Sequence, residues 1–77
     1  MRIANIYVKD LYKFVNTSTK IHMVFYDSPL FPDYFGKLSE LVKYRLYDSI
    51  YDGQIDRIYF SLEEREYLNI YVSLKQN

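Results

Sequence analysis

The side chains with the most to offer chemically are tyrosines. Ten of the 77 residues are tyrosine and five more are phenylalanine. Four of the tyrosines fall in the same phase of alternating segments. Tyr26 alternates with apolar Phe25, Tyr59 with Ile58 and Phe60, and Tyr67 and Tyr71 with Leu68, Ile70 and Val72. His22, Arg57 and Asn69 share that phase. Tyrosine offers a large, stiff contact area at low entropic cost with a hydroxyl for polar partners, and with arginine it dominates interface hot spots. The chemistry implied is recognition of another protein. The expected partner-binding set is Tyr26, Arg57, Tyr59, Tyr67, Asn69 and Tyr71, with Glu63 and Glu64 as a second contact. Two accounts compete: Tyr59 and Tyr71 pair across a hairpin and only stabilise it, or a helix over 37–47 covers this face and makes it core.

The same face has two rival uses. Sheets that bind single-stranded nucleic acid stack bases on two or three exposed aromatics, with basic groups around them. Tyr59, Tyr71 and Arg57 suit that role, but Glu63, Glu64 and Glu66 follow in the same segment and repel phosphate. The signature segments of RNA-binding sheets are also absent from the sequence. Alternatively, Asp48, Asp52, Asp56, Glu63, Glu64 and Glu66 form an acidic set that imitates nucleic-acid charge and fits a basic groove. Against it stands their reading as solvated turn charges.

Catalytic constellations are not legible. There is one histidine and no cysteine, so a Ser-His-Asp arrangement would need His22 as its base. Its neighbours Ile21 and Met23 point to the expected core, and His22 is read as a surface residue of the other face. Gly36 and Gly53 are isolated, so no glycine-rich phosphate loop exists. Asp48, Asp52 and Asp56 recur every fourth residue, but the Asp52-Gly53 turn signal breaks any helix there, and the calcium-loop ligand order is missing. Sequence leaves open a carboxylate pair for glycoside hydrolysis, yet so short a chain has little room for a pocket of roughly 300 Å³. The expectation is a protein that is not an enzyme and holds no cofactor or metal.

The elements that must position these side chains can be read from periodicity. Val8, Leu11, Tyr12 and Val15 repeat at helical spacing and predict a short helix over 8–16, ended by Asn16-Thr17-Ser18-Thr19. Residues 3–8 are either a short strand or the lead-in to that helix. Residues 20–27 alternate and predict a strand. Asp27-Ser28-Pro29 and Pro32-Asp33 predict turns, followed by a short strand at Tyr34-Phe35 that Gly36 stops or bends. Leu38, Leu41 and Val42 predict a helix over 37–47. Residues 57–62 and 67–74 predict an antiparallel hairpin around the charged loop 63–66. Assembled, the order is α-β-β-α-β-β: an α+β fold with a single antiparallel sheet of three or four strands and one or two short helices on one face. The expected core is Val8, Leu11, Val15, Ile21, Met23, Phe25, Leu38, Leu41, Ile58, Phe60, Leu68, Ile70 and Val72.

Composition bounds the rest. A chain of this length is one domain, and 49% hydrophobic residues exclude a disordered chain. Without cysteine it is neither a disulfide scaffold nor a thiolate zinc module. Ten basic and ten acidic side chains cancel, which argues against a dedicated duplex-DNA binder. The balance is uneven: residues 1–45 hold seven basic and four acidic groups, residues 46–77 three and six. No secretory signal or membrane span is legible, so a cytoplasmic location is expected.

Several segments recur in a familiar order: Val8-Lys9-Asp10-Leu11, residues 19–27, Tyr34-Phe35-Gly36-Lys37, Leu46-Tyr47-Asp48-Ser49-Ile50, and residues 67–72. In this the chain resembles short proteins encoded by phages and mobile elements of low-GC Gram-positive bacteria. The resemblance implies a mobile-element setting, in which small single-domain proteins often block host defence, anti-CRISPR proteins among them. It carries over no functional residue. The combined expectation is a protein-binding inhibitor of a host defence complex. The alternatives are a single-strand nucleic-acid binder and a self-associating module, a homodimer paired through the strand 66–74 as a sheet edge.

Overall fold

The computed structural model describes residues 6–60 and 67–75. The chain folds as an α+β domain with one mixed sheet. Its strands are β1 (Lys20–Phe25), β2 (Tyr34–Lys37), β3 (Gln54–Phe60) and β4 (Leu68–Ser73), in the order β2-β1-β4-β3. β2 pairs antiparallel with β1, and β3 antiparallel with β4, but β1 and β4 run parallel. The sheet is therefore not wholly antiparallel as expected. After β2 the chain crosses the core face, forms β3 at the far edge, and returns through β4 into the gap beside β1. That return also places β4 in the interior, so the strand expected to pair two copies as a free edge has both edges occupied.

The helical elements are short. A 3-10 turn (Val8–Asp10) runs into α1 (Leu11–Phe14), and backbone at Val15 is extended. Asp10 Oδ2 accepts the Tyr7 N–H at 3.0 Å, satisfying a donor at the entry to this turn. The helix expected over 37–47 is two pieces: a 3-10 helix (Leu38–Lys43) and α2 (Tyr47–Ile50). Leu38 and Ser39 N–H groups donate to Thr19 and Thr17 carbonyls at 2.9 and 2.8 Å, pinning the start of the 3-10 helix to the chain just before β1. Of the segment 3–8, residues 3–5 lie outside the described residues; Tyr7 pairs with Gln54 in an isolated bridge, and Ile55 N–H donates to the Ile6 carbonyl at 2.7 Å.

Helices and alternating strand residues bury Val8, Leu11, Ile21, Met23, Phe25, Tyr34, Leu38, Leu41, Ile50, Leu68, Ile70 and Val72. Phe25, Tyr34 and Tyr44 pack ring on ring at one end of this core, with Phe25–Tyr44 and Tyr34–Tyr44 centroids 6.2 and 5.7 Å apart. Tyr34 and Ile50 were not expected there. Conversely, Ile58 and Phe60 remain 39% and 63% exposed, and Val15 is only partly buried. β3 is an edge strand, and only its first half, at Ile55, packs against the core. Gly53 sits where the chain leaves α2 for β3. A Cβ there would lie 2.6 Å from Val72 Cγ1 and 2.8 Å from Leu74 Cδ2, so close packing requires glycine.

Candidate protein-binding face

Strand register decides which side chains meet on the second face. His22 lies opposite Phe35 on β2 and Asn69 on β4. Asn69 lies opposite Tyr59, and Tyr71 opposite Arg57 and Val24. A bulge at Ile55/Arg57 shifts the register of β3 and turns Asp56 toward Tyr26, whose hydroxyl donates to the Asp56 carboxylate. The 3-10 helix Leu38–Lys43 buries Leu38 and Leu41 with Ile21 and Met23, on the opposite side of the sheet. It does not cover the tyrosines, and among the described residues no helix packs on their face.

Two aromatic ridges result. One crosses β4 and β3: Tyr26 and Tyr71 centroids are 6.4 Å apart at 43°, and Tyr71 and Tyr59 are 6.0 Å apart and nearly parallel at 21°. The Arg57 guanidinium lies 5.9 Å from the Tyr59 ring centroid. The other ridge is built on β2 and β1. Phe35 stacks on His22 at 4.1 Å and meets Tyr67 edge-on at 5.6 Å. Tyr26, Tyr59 and Phe35 are 51%, 39% and 56% exposed. The competing account, contact of Tyr59 with Tyr71 across the hairpin, is present as a diagonal stack rather than a directly opposed pair, and it leaves Tyr59 accessible.

Between the ridges the face is polar and closed. Asn69, expected at the surface, is 4% exposed. Its carboxamide oxygen lies 2.9 Å from His22 Nδ1, while His22 Nε2 lies 2.9 Å from Asp33 Oδ2. The flanking strands and rings bury the short Asn69 side chain and draw His22 down into a partly buried position. Both ring nitrogens thus face oxygen acceptors, and Nδ1–H donates to Asn69 Oδ1 or Nε2–H to Asp33 Oδ2 according to the tautomer.

Charge gathers at the Tyr26 end. Hydrogen bonding to Asp56 is the largest influence on the Tyr26 hydroxyl and holds it above the ordinary phenol value. Desolvation pushes the nearby Asp27 carboxyl up, but Ser73 Oγ–H and the N–H groups of Leu74 and Lys75 outweigh it and hold Asp27 below the usual carboxylate range. Those donors clasp the end of β1 to the end of β4. A shallow cleft of about 410 Å³ opens beside them, lined by Tyr26, Asp56, Arg57 and Tyr71.

The structure thus brings together Tyr26, Arg57, Tyr59, Tyr67, Asn69 and Tyr71 from the expected set. Glu63 and Glu64 lie outside the described residues. Sequence reasoning missed Phe35, because the phase of the short β2 could not be set without its register to β1. Asp56 enters the sequence reading only as one of six acidic residues, because its turn toward the tyrosine face depends on the bulge. Among the described residues no three His, Cys, Asp or Glu side chains gather to hold a metal ion, and no helix is long and apolar enough to cross a membrane. No family model matches the chain, and no curated protein or solved structure matches it either.

Proposed function

We propose that this chain is a small, non-enzymatic protein-binding module whose working surface is the open aromatic face of its sheet. One observation carries the reading: six rings, from Tyr26, Tyr59, Tyr71, Tyr67, Phe35 and His22, form two ridges on a face that no described helix covers. A fold this small has few apolar groups to spare for its surface, and exposed aromatic patches with an arginine beside them mark interaction sites. The narrower reading, an inhibitor of a host defence complex working in the host cytoplasm, rests on the sequence resemblance to short phage and mobile-element proteins. Single-strand nucleic-acid binding is the second reading. The nearly parallel Tyr59 and Tyr71 rings beside Arg57 favour it, and the Asp56 and Asp33 carboxylates on the same face oppose it.

The test is affinity capture from a lysate of the organism that carries the gene, using the wild type, Tyr59→Ala and Tyr71→Ala. Hot-spot truncation costs about 2 kcal/mol or more, roughly 30-fold in affinity. A partner held by the wild type and lost by both folded variants supports the reading. Retention of every partner by both folded variants refutes it. Binding of oligo-uridylate that falls steeply with salt would favour the second reading instead.

A further inference from the structure

The Tyr26–Tyr71 cleft has a counterpart elsewhere in the same chain. Lys9 Nζ lies 5.9 Å from the centroids of both Tyr7 and Tyr51 and 2.9 Å from Asp52 Oδ1. That site is a cation within reach of two tyrosine rings, held by one aspartate. The cleft on the sheet face repeats the other three parts: two tyrosine rings 6.4 Å apart and one aspartate in its lining, Asp56, which accepts the Tyr26 hydroxyl. Among the described residues Asp56 has no ion-pair partner. Arg57 also lines the cleft, but its guanidinium is placed over the Tyr59 ring, two residues further along β3. Asp27, the other carboxylate at this end, is already engaged by Ser73, Leu74 and Lys75.

We infer that the Tyr26–Tyr71 cleft takes a cationic side chain, a lysine or arginine of the partner protein, with the rings facing the cation and Asp56 pairing its charge. Aromatic faces carry negative electrostatic potential and attract ammonium and guanidinium groups, and the carboxylate supplies the complementary charge that fixes where on the face the partner docks. Arg57 on Tyr59 shows that this ladder of rings already holds a guanidinium. The inference rests on the protein-binding reading and adds the chemistry of the partner residue at its centre.

The full-length chain, ¹⁵N-labelled, would be titrated with three capped tripeptides, Gly-Xaa-Gly, where Xaa is arginine, lysine or citrulline. Citrulline keeps the shape of arginine without its charge. The arginine or lysine peptide is expected to shift the amide signals of Tyr26, Asp56 and Tyr71 saturably, and citrulline to bind about tenfold more weakly. Asp56→Asn is expected to weaken the cationic peptides about threefold or more, with the rest of the spectrum unchanged. Equal binding of citrulline and arginine, insensitivity to Asp56→Asn, or no shift with any peptide overturns the inference. The capture experiment separates the two failures. A partner lost by Tyr71→Ala but kept by Asp56→Asn leaves the binding face standing and removes only the cation.

Discussion

Raising the pH past the ordinary phenol range should destabilise this protein, because several of its tyrosines are structural. Burial, above all, pushes the hydroxyls of Tyr12, Tyr34 and Tyr44 upward, and for Tyr12 the neighbouring Tyr47 adds to it. A native-state value above the unfolded one means that the contribution is complete below the unfolded value, about 10, and is lost as pH rises toward the native value. Each phenol that ionises only after unfolding adds about 1.4 kcal/mol of destabilisation per pH unit. A chain of this length has a total stability of about 4–12 kcal/mol, so losing the contribution of these phenols should lower it measurably as pH rises above about 10, with Tyr12, pushed up furthest, acting over the widest interval. Lys9, raised first by its hydrogen bond to Asp52, titrates in the same direction, but it is solvent-exposed and Lys9→Met serves as its control. Urea midpoints followed by circular dichroism across the alkaline range give the slope, and tyrosinate absorbance counts the phenols released on unfolding. Tyr12→Phe provides the internal check. The Tyr47 hydroxyl lies near the buried Tyr12 hydroxyl but does not meet it in hydrogen-bond geometry, so removing the Tyr12 hydroxyl should leave neutral-pH stability equal or higher by about 1 kcal/mol, and flatten the alkaline limb of the stability curve. A flat midpoint between pH 10 and about 11.5, or an unchanged slope in Tyr12→Phe, would refute this assignment.

Two further perturbations test the frame. Asp27 lies below the usual carboxylate range, so its contribution is present above the ordinary aspartate value and fades as pH falls through its native one; Asp27→Ala should lower the neutral-pH urea midpoint by the equivalent of about 1–3 kcal/mol and flatten the acid limb of the stability curve. Ile70→Ala, at a fully buried site on β4, should cost about 2–5 kcal/mol, whereas Phe60→Ser at the exposed end of β3 should cost under about 1 kcal/mol, and equal losses by denaturant titration would contradict the edge position of β3.

Which side chains share a face was legible, because a strand's period of two fixes it locally. The alternation in residues 20–25 and 68–73 separates Ile21, Met23, Ile70 and Val72 from His22, Asn69 and Tyr71 without knowledge of any partner strand. Which strands lie side by side was not legible. The hairpin of β3 and β4 is local, whereas the parallel pairing of β1 with β4 joins residues 47 apart and depends on the whole chain closing around the core. The exposure of Ile58 and Phe60 follows from that order, since the same alternation on a central strand would have buried them. The helix over 37–47 failed for a different reason. Its apolar residues Leu38 and Leu41 suit a single 3-10 turn as well as an α-helix, and Tyr44 leaves the helix to join the Phe25–Tyr34 cluster.

The parallel β1–β4 pair also explains why the polar residues of the tyrosine face are where they are. Parallel strands have no hairpin to set their register, and a slip by one residue would put Ile70 and Val72 on the wrong side. Two polar contacts hold the register here. His22 meets Asn69 in the middle of the pair, and Asp27 accepts the Leu74 N–H at its end, spans of 47 residues in both cases. Both contacts lie beside the ridges, so the groups that fix the register also hold the rings in place before any partner arrives. Asn69 is therefore better placed to support the face than to touch a partner. Preorganisation of this kind lowers the ordering cost of association, so in the proposed binding role so small a face would need only a few fixed aromatic side chains rather than a large area.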